Sequence, residues 1–334
     1  MWKVLHLRAI VPADRTDAVC AVLAGCSGAT NVVVLPGAAR SPLGDLVNAD
    51  IARESANQVI EALQGLGIER DGSIAFEHID LSLSIGAEAA QERAPGHGDD
   101  AVVWEELDQR TADESRLTWS FVAFLALATQ LAGIAALIDS PILVVGAMVL
   151  GPEFGAVAAI CFGILTGQAR RIGAALRTLA LGFAVAIVIT YVCALVSHWI
   201  GVIELDRLPG ERPMTAFIYS PDRWSFIVAL LAGAGGVLSL TAGKSSALVG
   251  VFISVTTVPA AGNLAVALAL RHRSEVDGSL LQLGVNLAGM IIAGTLTLLV
   301  QRQVWKLVLR RTGRPLLRPN PPGGRPHGGQ GLGS

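Results

Sequence analysis

The sequence predicts an α-helical polytopic membrane protein with an N-terminal α+β, ferredoxin-like soluble domain. Three observations carry that prediction: six long uncharged runs, a first quarter with strand and helix periodicity, and a polar segment between the two. The chain has 334 residues, 52% hydrophobic and 16% charged, against a charged share of about 25% in ordinary soluble domains. The apolar excess falls in Leu117–Ile138, Ser140–Ala169 (broken only by Glu153), Thr178–Ile203, Trp224–Gly243, Ser245–Leu270 and Gly278–Gln301. A helix needs roughly 20 mostly apolar residues to cross a bilayer, and all six runs qualify. A soluble fold would have to bury six long helices that lack a polar face. Six spans are therefore expected over residues 117–302.

Residues 1–85 read as βαββαβ. "WKVLHLRAIV" alternates as a strand, and "PADRTDAVCAVLAGC" brings Val19, Val22 and Leu23 to one helical face. "TNVVVLPG" and "LGDLVNADIA" form the second and third strands. "ESANQVIEALQGLG" gives a helix with Val59, Ile60 and Leu63 on one side, and "GSIAFEHIDLSLS" a last strand. That order is the split βαβ, ferredoxin-like arrangement, expected to serve regulation or assembly. Residues 86–116 are polar. Within them "DDAVVWEELDQR" places Val103, Trp104 and Leu107 together, which predicts a short amphipathic helix at the membrane surface with Trp104 towards the headgroups. Residues 303–334 begin basic and become Pro/Gly-rich, a composition expected to be disordered.

The N-terminus lacks the pattern of a cleaved signal. Basic residues cluster before the first span (Arg110, Arg116), after the second (Arg170, Arg171, Arg177) and after the sixth (Arg302, Lys306, Arg310, Arg311). The positive-inside rule then places both termini in the cytoplasm, although Arg271 and Arg273 fall on the outer side.

Aligning the membrane region with itself pairs "SFVAFLALATQLAGIAALIDSPILVVGAM" (120–148) with "SFIVALLAGAGGVLSLTAGKSSALVGVFI" (225–253), with Gly146 meeting Gly250 after one skipped residue. Three spans, a polar connection and three spans imply a 3+3 inverted repeat, because an odd number of spans inverts the second unit. Both halves carry a broken span. The second span holds Gly151, Pro152, Glu153 and Gly155, and the fifth holds Thr256, Thr257, Pro259 and Asn263. A proline inside a helix frees a carbonyl, and in hydrocarbon such groups need another partner. Matched interruptions point to a midplane binding site. These eight residues are the candidate substrate- or ion-binding set, with Glu153 the one ionisable group well inside the apolar runs. Asp139, Lys244, Ser245 and Asn286 are candidate gate or accessory residues.

Cys20, Cys26, Cys161 and Cys193 are scattered without metal-ligand spacing. No metal, cofactor, nucleophile–base pair or basic–aromatic nucleic-acid patch is expected, so neither is an enzyme. "LTAGKSSA" contains Gly-Lys-Ser, yet a phosphate loop needs a glycine where Leu238 stands.

"DSPILVVGAMVLGPEFGAVAAICFGILTG", "GKSSALVGVFISVTTVPAAGNLAVAL" and "GVNLAGMIIAG" resemble the bacterial uncharacterised hydrophobic family known as domain of unknown function 389, over about residues 112–301. Ala156 and Ala260 stand where that family usually has proline. The resemblance implies a multispan membrane protein of the bacterial inner membrane and no settled activity. The expected function is transport of an unidentified small solute or ion around the site between spans two and five. The partners expected are the lipid bilayer, that solute and further copies of the chain in a homo-oligomer. An ion channel, or a membrane-anchored ligand sensor or oligomerisation protein, are the alternative readings.

Overall fold

A computed structural model describes residues 4–79, 84–94, 101–202, 212–242 and 256–312. The chain forms two compact units, one of residues 1–103 with 305–334 and one of residues 104–304.

In the first unit, β1 (Val4–Val11), α1 (Thr16–Gly25), β2 (Ala29–Arg40), β3 (Leu43–Ala52), α2 (Ala56–Gly65), the short α3 (Ile68–Asp71) and β4 (Ser73–His78) follow in order. The four strands form an antiparallel sheet in the order β2-β3-β1-β4. Period-two alternation sends Leu7, Ala9 and Val11 of β1 and Val47, Ala49 and Ile51 of β3 to one face. There they meet Val19 and Leu23 of α1 and Val59 and Leu63 of α2 in one buried core. The strand expected to stop at Pro36-Gly37 instead continues to Arg40, because register shifts between Thr30 and Val33 and between Leu35 and Ala39 absorb the irregular residues. Gly37 takes φ +62, a conformation that costs a Cβ-bearing residue energy.

The stretch 86–116 is not one linker. α4 (Ile85–Arg93), capped by the Ser84 hydroxyl, packs on β2 and β3. α5 (Trp104–Glu114) belongs to the second unit and packs on the helix Glu153–Thr166. The half-buried Trp104 ring lies 6.4 Å from that of Phe162. An amphipathic face can serve protein as well as lipid, and this one meets protein.

The second unit contains α6 (Trp119–Leu137), α7 (Pro141–Leu150), α8 (Glu153–Thr166), α9 (Ala169–Trp199), α10 (Arg223–Thr241), α11 (Thr257–Ala269) and α12 (Arg273–Thr312) as far as Val304. Among the described residues, α6, α9, α10 and α12 are each long and apolar enough to cross a membrane. α7 and α8 together make a fifth, bent by 55°. The expected fifth span, Ser245–Leu270, is described only from Thr256 onward, with the 13-residue α11 (Thr257–Ala269). α12 runs past the boundary expected at 302, and residues 313–334 lie outside the described residues, as do Lys244 and Ser245.

The prolines start helices rather than bend them. Pro141 opens α7, Pro152 precedes α8, and Pro259 occupies the first turn of α11. First-turn amides have no partner within the helix, so a proline there removes nothing the helix needs.

Candidate functional site

α8 and α11 form the interior of the second unit. α8 is buried from Glu153 to Gly163, and α11 from Thr257 to Ala267. Neither is long enough to cross a bilayer alone. Close approach on α6 is made possible by glycine. A Cβ on Gly262 of α11 would lie 2.6 Å from Ala132 Cβ, 2.7 Å from Gly133 N and 2.7 Å from Thr129 O. On the other side Gly236 of α10 faces the Phe154 ring, 2.2 Å from where its Cβ would be.

The two half-helices meet at their first residues. Thr257 Oγ1 donates to Glu153 Oε1 at 2.5 Å, both side chains being buried. The second carboxylate oxygen, Oε2, has no hydrogen-bond partner among the described residues. It lies against Gly151, where a Cβ would come within 2.3 Å of it and 2.7 Å from Val258 Cγ2. Gly151 thus makes room for the carboxylate. The positive ends of two helix dipoles converge there, a favourable setting for an acidic side chain.

Two cavities approach this junction. One, of about 390 Å³, is lined by Thr118, Phe121, Pro152, Phe154, Gly155 and Leu240, among others. The other, of about 320 Å³, lies between the starts of α7 and α10 (Val144, Met148, Trp224) and reaches Thr256, Gln282 and Asn286. α10 gives its first turns to the second cavity and its end to the first, so the cavities occupy opposite ends of that helix. Glu153 and Thr257 stand between Pro152 and Phe154 on one side and Thr256 on the other.

The remaining expected residues fall into three groups. Gly155 serves packing, since a Cβ there would lie 2.6 Å from Glu114 Cβ at the end of α5. Thr256 and Asn286 do come together: Thr256 Oγ1 accepts from Asn286 Nδ2 at 2.7 Å and from Gln282 Nε2 at 2.9 Å. Asp139, at φ +52, accepts from Thr215 Oγ1 at 2.7 Å and so holds the segment after residue 211 against the α6–α7 turn.

Asn263 is part of a polar cluster that sequence reasoning missed. Its Nδ2 donates to Ser279 Oγ at 2.9 Å and to Glu275 Oε2 at 3.3 Å. Its Oδ1 accepts from Arg212 Nη1 at 3.0 Å. Arg212 is fully buried, pairs with Glu275, donates to the Ala136 carbonyl near the end of α6 at 3.1 Å, and lies 4.7 Å over the Tyr219 ring. A guanidinium at a helix C-terminus also meets that helix's negative end. One sequence pattern could have revealed half of this cluster: Glu275, Ser279, Gln282 and Asn286 recur every three or four residues on α12, a polar stripe on an apolar span. Arg212 leaves no comparable trace, because a mixed-charge connection reads as a solvated loop.

No group of three or more His, Cys, Asp or Glu suited to a metal ion occurs among the described residues. No curated protein and no solved structure matches the chain. One family model, "Domain of unknown function (DUF389)", matches residues 148–292. That interval holds the break, both half-helices, Arg212 and the whole polar stripe of α12. Residues 148–292, less than half of the chain, are thus similar to that family's domain.

Proposed function

We propose that the second unit is a membrane transporter of a small solute or ion, working by alternating access at the Glu153–Thr257 junction. In this reading the chain has six spans, with α11 in the fifth, arranged as an inverted repeat. The N-terminal unit is a ferredoxin-like regulatory or assembly module, a reading supported by β3 lying between β1 and β2.

The observation that carries the proposal is the junction itself, a buried carboxylate whose second oxygen has no hydrogen-bond partner among the described residues, between cavities from opposite ends of the helices. Glu153 and Thr257 are 104 residues apart, the same offset that pairs Gly146 with Gly250. Residues equivalent under an inverted repeat meet where its axis crosses the chain, and these two meet. Charged groups inside a bilayer are costly and are kept where they serve a pathway.

The test is labelling from each side. In a variant without its own cysteines, Ser120→Cys marks the first cavity and Val145→Cys the second. A membrane-impermeant maleimide applied to oriented vesicles should reach them from opposite sides. Labelling of both from one side removes the proposal.

A further inference from the structure

Along the first three turns of α9 runs a crevice of about 1480 Å³, lined by Arg116, Arg170, Arg171 and Arg177 without any carboxylate. Two of these arginines are already engaged. Arg171 pairs with Asp108 at 2.5 Å and lies 5.1 Å over the Phe162 ring, and Arg116 pairs with Asp113 at 3.3 Å. Arg170 and Arg177 have no ion-pair partner among the described residues and are exposed. Seven residues apart, they share a face of α9 at about 10 Å along its axis. Between them come Gly173 and Ala174, and nothing lies within 4 Å of where a Gly173 Cβ would be. The floor between the two guanidiniums is open.

The same stripe continues as hydrocarbon. Leu181, Val185, Val188 and Val192 follow at helical spacing, each more than 40% exposed. One face of α9 is therefore basic for two turns and aliphatic for the next three, over roughly 16 Å from Leu181 to Val192. A free phosphate would match the first part only. An amphiphile with an anionic head and an alkyl chain matches both.

We propose that this face of α9 is a binding site for an anionic phospholipid. Its phosphate sits between Arg170 and Arg177, and an acyl chain lies along Leu181, Val185, Val188 and Val192. The site rests on the membrane-spanning reading but not on transport at Glu153, and recovery of the chain outside the membrane fraction would count against that reading separately. Guanidinium groups take phosphate oxygens through paired N–H donors, and a basic pocket between membrane helices is a recognised setting for anionic headgroups.

Native mass spectrometry of the full chain, delipidated in detergent and offered equimolar phosphatidylglycerol and phosphatidylcholine, tests the site. The wild type should retain phosphatidylglycerol preferentially. Each basic residue near a membrane surface contributes about fivefold to anionic-lipid binding, so Arg170→Gln with Arg177→Gln should lower the preference by about 25-fold. Arg170→Lys with Arg177→Lys should keep most of it, which separates a lost site from a misfolded chain. Arg302→Gln with Lys306→Gln removes two charges from α12 and should leave the preference intact. Glycerol 3-phosphate in tenfold excess should not displace the lipid. Equal retention of both lipids, equal losses in the α9 and α12 pairs, or displacement by glycerol 3-phosphate would overturn the assignment.

Discussion

Glu153 depends on a neighbour without a side chain. Gly151→Ala would place a methyl group on the carboxylate and on Val258. Overpacking of this kind costs about 1–3 kcal/mol, so its melting temperature in detergent should fall below wild type. Arg212 is the second critical residue. Removing one partner of a buried ion pair leaves the other uncompensated, at about 3–5 kcal/mol. Arg212→Gln should therefore destabilise more than Gly151→Ala, while Arg212→Gln with Glu275→Gln should recover part of the loss in the same measurement. In the first unit, Asp45 accepts hydrogen bonds from the Thr16 hydroxyl at 2.7 Å and the Gly37 amide at 2.8 Å. These bonds, the Thr16 one first, hold its carboxyl below the usual range. A depressed folded-state value stabilises above the unfolded value of about 3.9 and loses that contribution as pH falls through the folded one. Hydrogen exchange at β1 and β3 amides should show Thr16→Val less protected at neutral pH. That difference should shrink on acidification below about pH 4.

Among the elements, α8 and α11 were legible as interruptions but not as helices. Gly-Pro-Glu and the Thr-Thr-Val-Pro run were visible as breaks in apolar runs. Their burial was not legible, because a helix apolar on all sides has no periodicity to show which neighbours it will meet. Strands β1 and β3 were legible for the opposite reason, since each has one covered face and the alternation records it. α4 was missed because the residues it buries are alanines, Ala87 and Ala90, which mark no face. Gly262→Val tests the packing of α11 on α6. With backbone atoms 2.7 Å from the added Cβ, the helices must separate, and the melting temperature should drop by more than for Gly173→Val, which faces open space.

At the scale of the molecule, the two units divide the chain at residues 103 and 104, inside the stretch whose composition suggested a linker. If transport belongs to the second unit, deletion of residues 1–103 should leave the two-sided labelling of Ser120→Cys and Val145→Cys unchanged. Loss of labelling would favour the sensor reading. The central claim concerns one exchangeable charge between two cavities. It is tested most directly by a pH jump on proteoliposomes adsorbed to a solid-supported membrane, where proton exchange at a buried carboxylate appears as a transient displacement current. The account predicts that current in the wild type and its absence in Glu153→Gln, with both proteins equally monodisperse in detergent. The same current in both would contradict it.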